Sequence, residues 1–151
     1  MARLYILLFS LLLPYQAIAE DLLPIPKNET EARNVETMRL WLSRVWAEGQ
    51  LELVPKLVAA EYVRHGPQGT RVVTPESYSE EIAAGRKLGL KFVTHSTTID
   101  GDMMWGRFST YGTSPSGEKF ESRNVQIYRF ERGKLAETWS LNQPGTAWED
   151  Q

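Results

Sequence analysis

Two histidines, His65 and His95, and no cysteine set narrow limits on the chemistry this chain can carry. A thiol nucleophile, a thiolate metal site, a disulfide and lipid attachment through sulfur are all excluded. Neither histidine stands in a His or acidic cluster with metal-ligand spacing, there is no serine triad, and the glycines are scattered through turns rather than grouped in a phosphate-binding loop. The expectation is a site with no metal and no cofactor. His65 ends a short alternating run, Glu61–His65, stopped by Gly66, Pro67 and Gly69. With an unperturbed pKa of about 6.5, an imidazole there could take a proton from carbon or water, or it could hydrogen-bond the turn. His95 alternates with Val93 and reads as an ordinary strand residue. Arg107 offers a planar fork suited to a carboxylate or an enolate-like oxygen, unless it lies over a neighbouring acidic residue. Gln126 cannot accept a proton at neutral pH, but its amide can donate to a developing oxyanion.

The elements that must position these residues are organised around Asn124–Asn142, two runs of alternating apolar and polar residues joined across Glu131, Arg132 and Gly133. Alternation places successive side chains on opposite faces, so the hairpin has two distinct surfaces. Upstream, Asn28 begins a helix, with Glu31 completing a capping-box pattern. Val35, Met38, Leu42, Val45 and Trp46 form its apolar stripe, widened by Trp41, which ends near Gly49. Gln50–Ala60 reads as a second, short helix that starts close to Pro55. Thr74-Pro75-Glu76 caps a third, running to about Gly89. Leu90–Asp100, Met103–Thr113, Lys119–Phe130 and Lys134–Asn142 are β-runs separated by turn residues. Helices first and a four-run meander after them predict an α+β domain, three N-terminal helices packed on a curved antiparallel sheet. A small-molecule hollow is expected between the two layers.

A length of 151 residues suits one domain, and a net charge of -2 with interspersed signs leaves no basic stripe for nucleic acid. Residues 1–19 read as a secretory signal: Arg3, the apolar run Leu4–Leu13, and Ala17-Ile18-Ala19 before Glu20. The run is short for a membrane span, so a cleaved signal is expected over a retained anchor, leaving no stable span afterwards. Residues 20–27, with Pro24 and Pro26, read as a linker, and 28–151 as the domain. Export without disulfides fits a periplasmic or secreted protein.

Several segments resemble the nuclear transport factor 2-like superfamily, within it the SnoaL-like polyketide cyclase group and, more distantly, ketosteroid isomerase. They are Trp46–Gln50 before Leu51, the corner Tyr62-Val63-Arg64-His65-Gly66-Pro67, Ile99–Asp102, Val125–Phe130 and Gly133–Trp139. The resemblance implies a conical α+β barrel, and it implies a phase for each strand. Asn124, Gln126 and Tyr128 are expected to point into the cone, as are Thr138, Ser140 and Asn142 on the last strand and Trp105, Arg107, Ser109 and Tyr111 on Met103–Thr113. Val125, Ile127, Trp139 and Leu141 are then outward, where family members often pair sheet to sheet, and a homodimer is expected.

In the resemblance His65 matches the position of the family's histidine or basic aspartate, which implies a catalytic base. Gln126 departs from the family's aspartate, and Glu137-Thr138-Trp139-Ser140 departs from a Glu-His-Trp-Asp pattern. The implied cavity keeps hydrogen-bonding groups and loses ionisable ones, and it holds no carboxylate pair for glycosidase chemistry. One expectation is a small, polar-tipped ligand undergoing cofactor-free proton transfer (isomerase, cyclase or dehydratase type), with His65 as base and Gln126 and Tyr128 steadying the oxyanion; Arg107, Trp105, Tyr111, Asn124, Thr138, Ser140 and Asn142 would bind the ligand. The others are a non-catalytic binding or assembly module of the same fold, and an outer sheet face that joins a partner protein.

Overall fold

The computed structural model describes residues 22–148. The expected secretory signal and its cleavage site lie outside the described residues. Leu22 and Leu23, in the expected linker, are docked: Thr97 Oγ1 donates to the Leu22 carbonyl and Leu23 packs on the core.

Helix α1 spans Glu29–Leu40 and continues through Trp41–Glu48 with wider π-type turns. Asn28 caps it by accepting from Glu31 N at 2.9 Å. The return bond of a capping box is absent. Glu31, 2% exposed, instead accepts from the backbone N–H groups of Lys27 and Gly101, and these donors hold its carboxyl below the usual range. Asn34 Nδ2 donates to Gly101 O, and Thr37 Oγ1 to Gly133 O. One face of the helix is thereby pinned to two sheet turns. The helix stops at Gly49, whose φ of +83° favours glycine and where a Cβ would lie 2.8 Å from the Arg86 guanidinium.

The second helix is shorter than its apolar spacing suggests. A 3-10 turn at Leu51–Leu53 leads into a single α-turn, α2 (Val54–Leu57), with Pro55 where no N–H is missed. The chain then enters strand β1 (Val58–Gly66), longer at both ends than the expected Glu61–His65, and turns back as β2 (Gly69–Val73), which the glycine-rich turn conceals. Helix α3 (Pro75–Lys87) follows its Thr74 cap. The meander runs β3 (Lys91–Asp100), β4 (Met103–Thr113), β5 (Lys119–Glu131) and β6 (Lys134–Pro144).

The sheet order is β2-β1-β6-β5-β4-β3. The four-strand meander pairs antiparallel as expected, as does the hairpin β1–β2, but β1 joins β6 in parallel, so the curved sheet is mixed. The β5–β6 turn is tight because Arg132 and Gly133 both adopt positive φ, at 53° and 78°. Register fixes the faces. Gln126 pairs with Ser140 and Tyr128 with Thr138 on the concave side, while Val125 pairs with Leu141 and Ile127 with Trp139 on the convex side. These assignments match the expected phase of the hairpin.

On β4 the phase is the reverse of the expected one. Arg107 pairs with Val125 and Trp105 with Ile127, which places both on the convex face. Tyr111 and Ser109 follow by alternation. The concave row is Met104, Gly106, Phe108 and Thr110, and Met104 and Phe108 are fully buried against Tyr128 and the helices. Gly106 is what makes this row fit, since a Cβ there would lie 2.4 Å from the Phe108 ring.

Candidate functional site

The concave face of the sheet and helices α1 and α3 enclose a cavity of about 240 Å³. Its walls are aromatic. Trp41 and Trp46 come from the π-turned part of α1, Tyr78 and Ile82 from α3, and Phe92 and Phe108 from β3 and β4. Trp41 stacks on Tyr78 at 5.6 Å, and Trp46 meets Phe92 edge-on at 4.6 Å. Such ring-on-ring contacts fix the walls in place and present flat apolar surface to the hollow.

Its floor is polar but neutral. Tyr62 and Thr138 hydrogen-bond each other, hydroxyl to hydroxyl, and the Tyr128 hydroxyl donates to Gln126 Oε1. Burial drives the pKa of Tyr62, Tyr78 and Tyr128 upward, so these phenols stay protonated. With its oxygen engaged by Tyr128, Gln126 keeps its amide N–H groups for whatever enters the cavity. Ser140 lines the same floor.

All of the cavity's charge lies on one side. Glu81, from α3, accepts from Arg71 Nη1 at 2.6 Å, Arg71 Nη2 at 2.7 Å and Arg64 Nη1 at 2.9 Å. Arg64 lies 4.4 Å above the Tyr78 ring. Two guanidiniums against one carboxylate leave one net positive charge there. Alternation on β1 puts Tyr62 and Arg64 on the concave face, and pairing with β2 places Arg71 beside Arg64.

His65 therefore faces the other way, which corrects the expected position of the base. Its Nε2 is 2.7 Å from Glu137 Oε1, its Nδ1 is 2.7 Å from Thr70 Oγ1, and its ring stacks on Trp139 at 5.1 Å. Both nitrogens are engaged on the convex face, a sheet's thickness away from the cavity. Glu137 also accepts from Arg129 Nε at 2.9 Å. The His65 and Arg129 bonds hold the Glu137 carboxyl below the usual glutamate range. A carboxyl with a depressed folded-state pKa adds stability above its unfolded value, and that stability is lost as pH falls through the folded one. Below the ordinary value of 4.5, urea titrations at stepped pH should show stability falling less steeply for Glu137→Gln than for the parent. Equal slopes would mean the clamp adds nothing.

The remaining expected ligand-binding residues divide between the two faces. Thr138, Ser140, Gln126 and Tyr128 line the cavity together. Asn124 shares their phase but is spent inside the sheet, donating to Thr110 Oγ1 at 2.8 Å and to Phe108 O at 3.3 Å. Asn142, opposite it, is exposed near the end of β6. Trp105, Arg107 and Tyr111 are convex, which corrects their expected position. Arg107 donates to Ser96 Oγ at 2.9 Å, and it and Arg123 hold the Trp148 ring at 5.2 and 5.3 Å. His95 sits at a bulge in β3, with Nε2 2.8 Å from Ser109 Oγ. Among the described residues, no group of three or more His, Asp or Glu is placed to hold a metal ion.

Sequence reasoning missed Arg64, Arg71 and Glu81. One signal was available: Glu81 follows Tyr78 by three positions, one helical turn along the same face.

Comparison with known proteins agrees with this geometry. No curated protein matches the chain significantly. Among solved structures, a SnoaL-like protein from a Jannaschia species is similar with a TM-score of 0.67 at 16% identity, over 79% of this chain and 91% of that one. A SnoaL-like polyketide cyclase from Agrobacterium tumefaciens gives 0.63 at 14%, over 73% and 91%. A nuclear transport factor 2-like protein of unknown function from Mesorhizobium loti gives 0.62 at 20%, over 80% and 98%. At these identities the likeness is one of fold. In sequence, the family model for SnoaL-like polyketide cyclase matches residues 36–144, which take in the cavity-lining part of α1, helix α3 and all six strands, and the chain belongs to that family.

Proposed function

We propose that the cone binds a small, planar organic molecule with a carbonyl or related oxygen at its tip, and polarises that oxygen through the Gln126 amide. One observation carries the reading: in an aromatic-walled cavity, the Gln126 oxygen is engaged by Tyr128 while its N–H groups are unspent. A preorganised donor among apolar walls acts on an oxyanion more strongly than the same amide in water. Isothermal titration with acetylnaphthalene, a neutral aromatic ketone, tests it. The ketone should bind the parent chain, and Gln126→Leu should weaken it by up to about tenfold, the value of one neutral hydrogen bond. Unchanged affinity in the variant would remove Gln126 from the site.

A second reading is turnover of the cyclase or isomerase type, by proton transfer beside the carbonyl. Membership of the family favours it, and Glu81 is the one carboxylate along the cavity wall. Opposing it, both oxygens of that carboxylate are already engaged by the Arg71 and Arg64 guanidiniums. Deuterium uptake from heavy water at the ketone's α-carbon, lost in Glu81→Gln, would establish turnover, and no uptake would leave the cone a binding module. The convex face supports a sheet-to-sheet homodimer, with Val72, Val125 and Leu141 exposed on it.

A further inference from the structure

We infer that the ligand is a monocarboxylate, held by its carboxyl group on Arg64. This rests on the cavity reading above and adds the class of molecule. Arg64 carries five N–H donors in a fixed plane, and a single one of them is spent on the protein, from Nη1 to Glu81. The others meet no protein acceptor, although the side chain lines the cavity and is only 28% exposed. The Glu81 oxygen that Arg64 reaches, Oε2, already receives a second donor from Arg71 Nη2 at 2.7 Å.

The Tyr78 ring covers one face of the Arg64 guanidinium at 4.4 Å. That contact leaves the edge of the fork for a second, in-plane partner, the geometry in which a carboxylate accepts two parallel bonds. Charge decides between anions. The Arg64, Arg71 and Glu81 group carries one net positive charge, which a monoanion neutralises and a phosphate dianion would overshoot. The aromatic walls suit a planar, conjugated body, with Gln126 and Ser140 on the same cavity lining available to a second oxygen.

The test titrates the full chain with naphthalene carboxylate, its methyl ester and naphthyl phosphate at neutral pH. The ester reports on the cavity and the difference between acid and ester on Arg64. The acid should bind at least about tenfold tighter than the ester, as expected for a charge-assisted pair, and also tighter than the phosphate. In Arg64→Met the acid should fall to the level of the ester. Arg64→Lys keeps the charge and the packing but loses the fork, and should retain only part of the preference. Acid and ester binding equally would overturn the monocarboxylate while leaving the cavity reading intact. Tighter binding of the phosphate would overturn the choice of a monoanion, and failure of all three to bind would overturn both readings.

Discussion

Phe108→Ala is expected to lower the stability of the folded chain by about 3 kcal/mol, the lower end of the range for removing a buried aromatic ring. The ring is 1% exposed, meets Tyr128 edge-on at 6.2 Å and fills the space that Gly106 leaves on the concave face. Its removal forfeits the transfer of the ring from water and the edge-to-face contact. The void term is smaller than in a closed core, because the space joins an existing 240 Å³ hollow that is open on one side. Trp105→Ala should cost less although the ring is larger, since Trp105 lies half-buried on the convex face opposite Ile127. Urea unfolding of the two variants orders the costs. A larger loss for Trp105→Ala would show that β4 presents its other face to the core. Phe108→Ala should also admit bulkier ligands.

That comparison marks where the sequence could be read and where it could not. In β5 and β6, one row is polar and the other apolar, with a two-residue turn between, so period-2 reasoning finds both faces. In β4 both rows carry an aromatic: Trp105 and Tyr111 on one, Phe108 on the other. Gly106 makes the true core row look the weaker, since a glycine adds no apolar surface of its own. Its role appears only when the neighbouring ring occupies the space of the missing Cβ. Strand β1 conceals more, because its parallel pairing with β6 is a contact between residues more than seventy positions apart, as between His65 and Trp139. Without it, Tyr62 and Arg64 cannot be told from Val63 and His65 as the inward pair. The resemblance to the family drew attention to His65, and a slip of one residue moved the chemistry to its neighbour. Trp148, four residues beyond the last strand, has no periodicity to read, yet its indole lies between Arg107 and Arg123 and its backbone N–H donates to Ser109 Oγ.

The hydroxyl pair on the cavity floor should behave as a unit. Tyr62 and Thr138 are both buried, and each hydroxyl has the other as its one protein partner. Removing one strands the other, and a stranded buried hydroxyl costs about 1–3 kcal/mol, whereas removing both leaves two apolar surfaces in contact and is nearly neutral. Thr138→Val should be the costlier single change, because it strands the phenol, which is 1% exposed, whereas Tyr62→Phe strands a threonine hydroxyl that is 5% exposed. The double variant should then be more stable than the sum of the singles predicts by about 1 kcal/mol or more, measured as a cycle of urea midpoints. Additivity within about 0.5 kcal/mol would mean that the hydroxyls do not depend on each other. Burial pushes the Tyr62 phenol upward, so the pair carries no charge near neutral pH and the cycle should give the same coupling from acid to mildly alkaline conditions. If the double variant also binds naphthalene carboxylate as tightly as the parent, the pair supports the floor without holding the ligand, and recognition is left to Gln126 and Arg64.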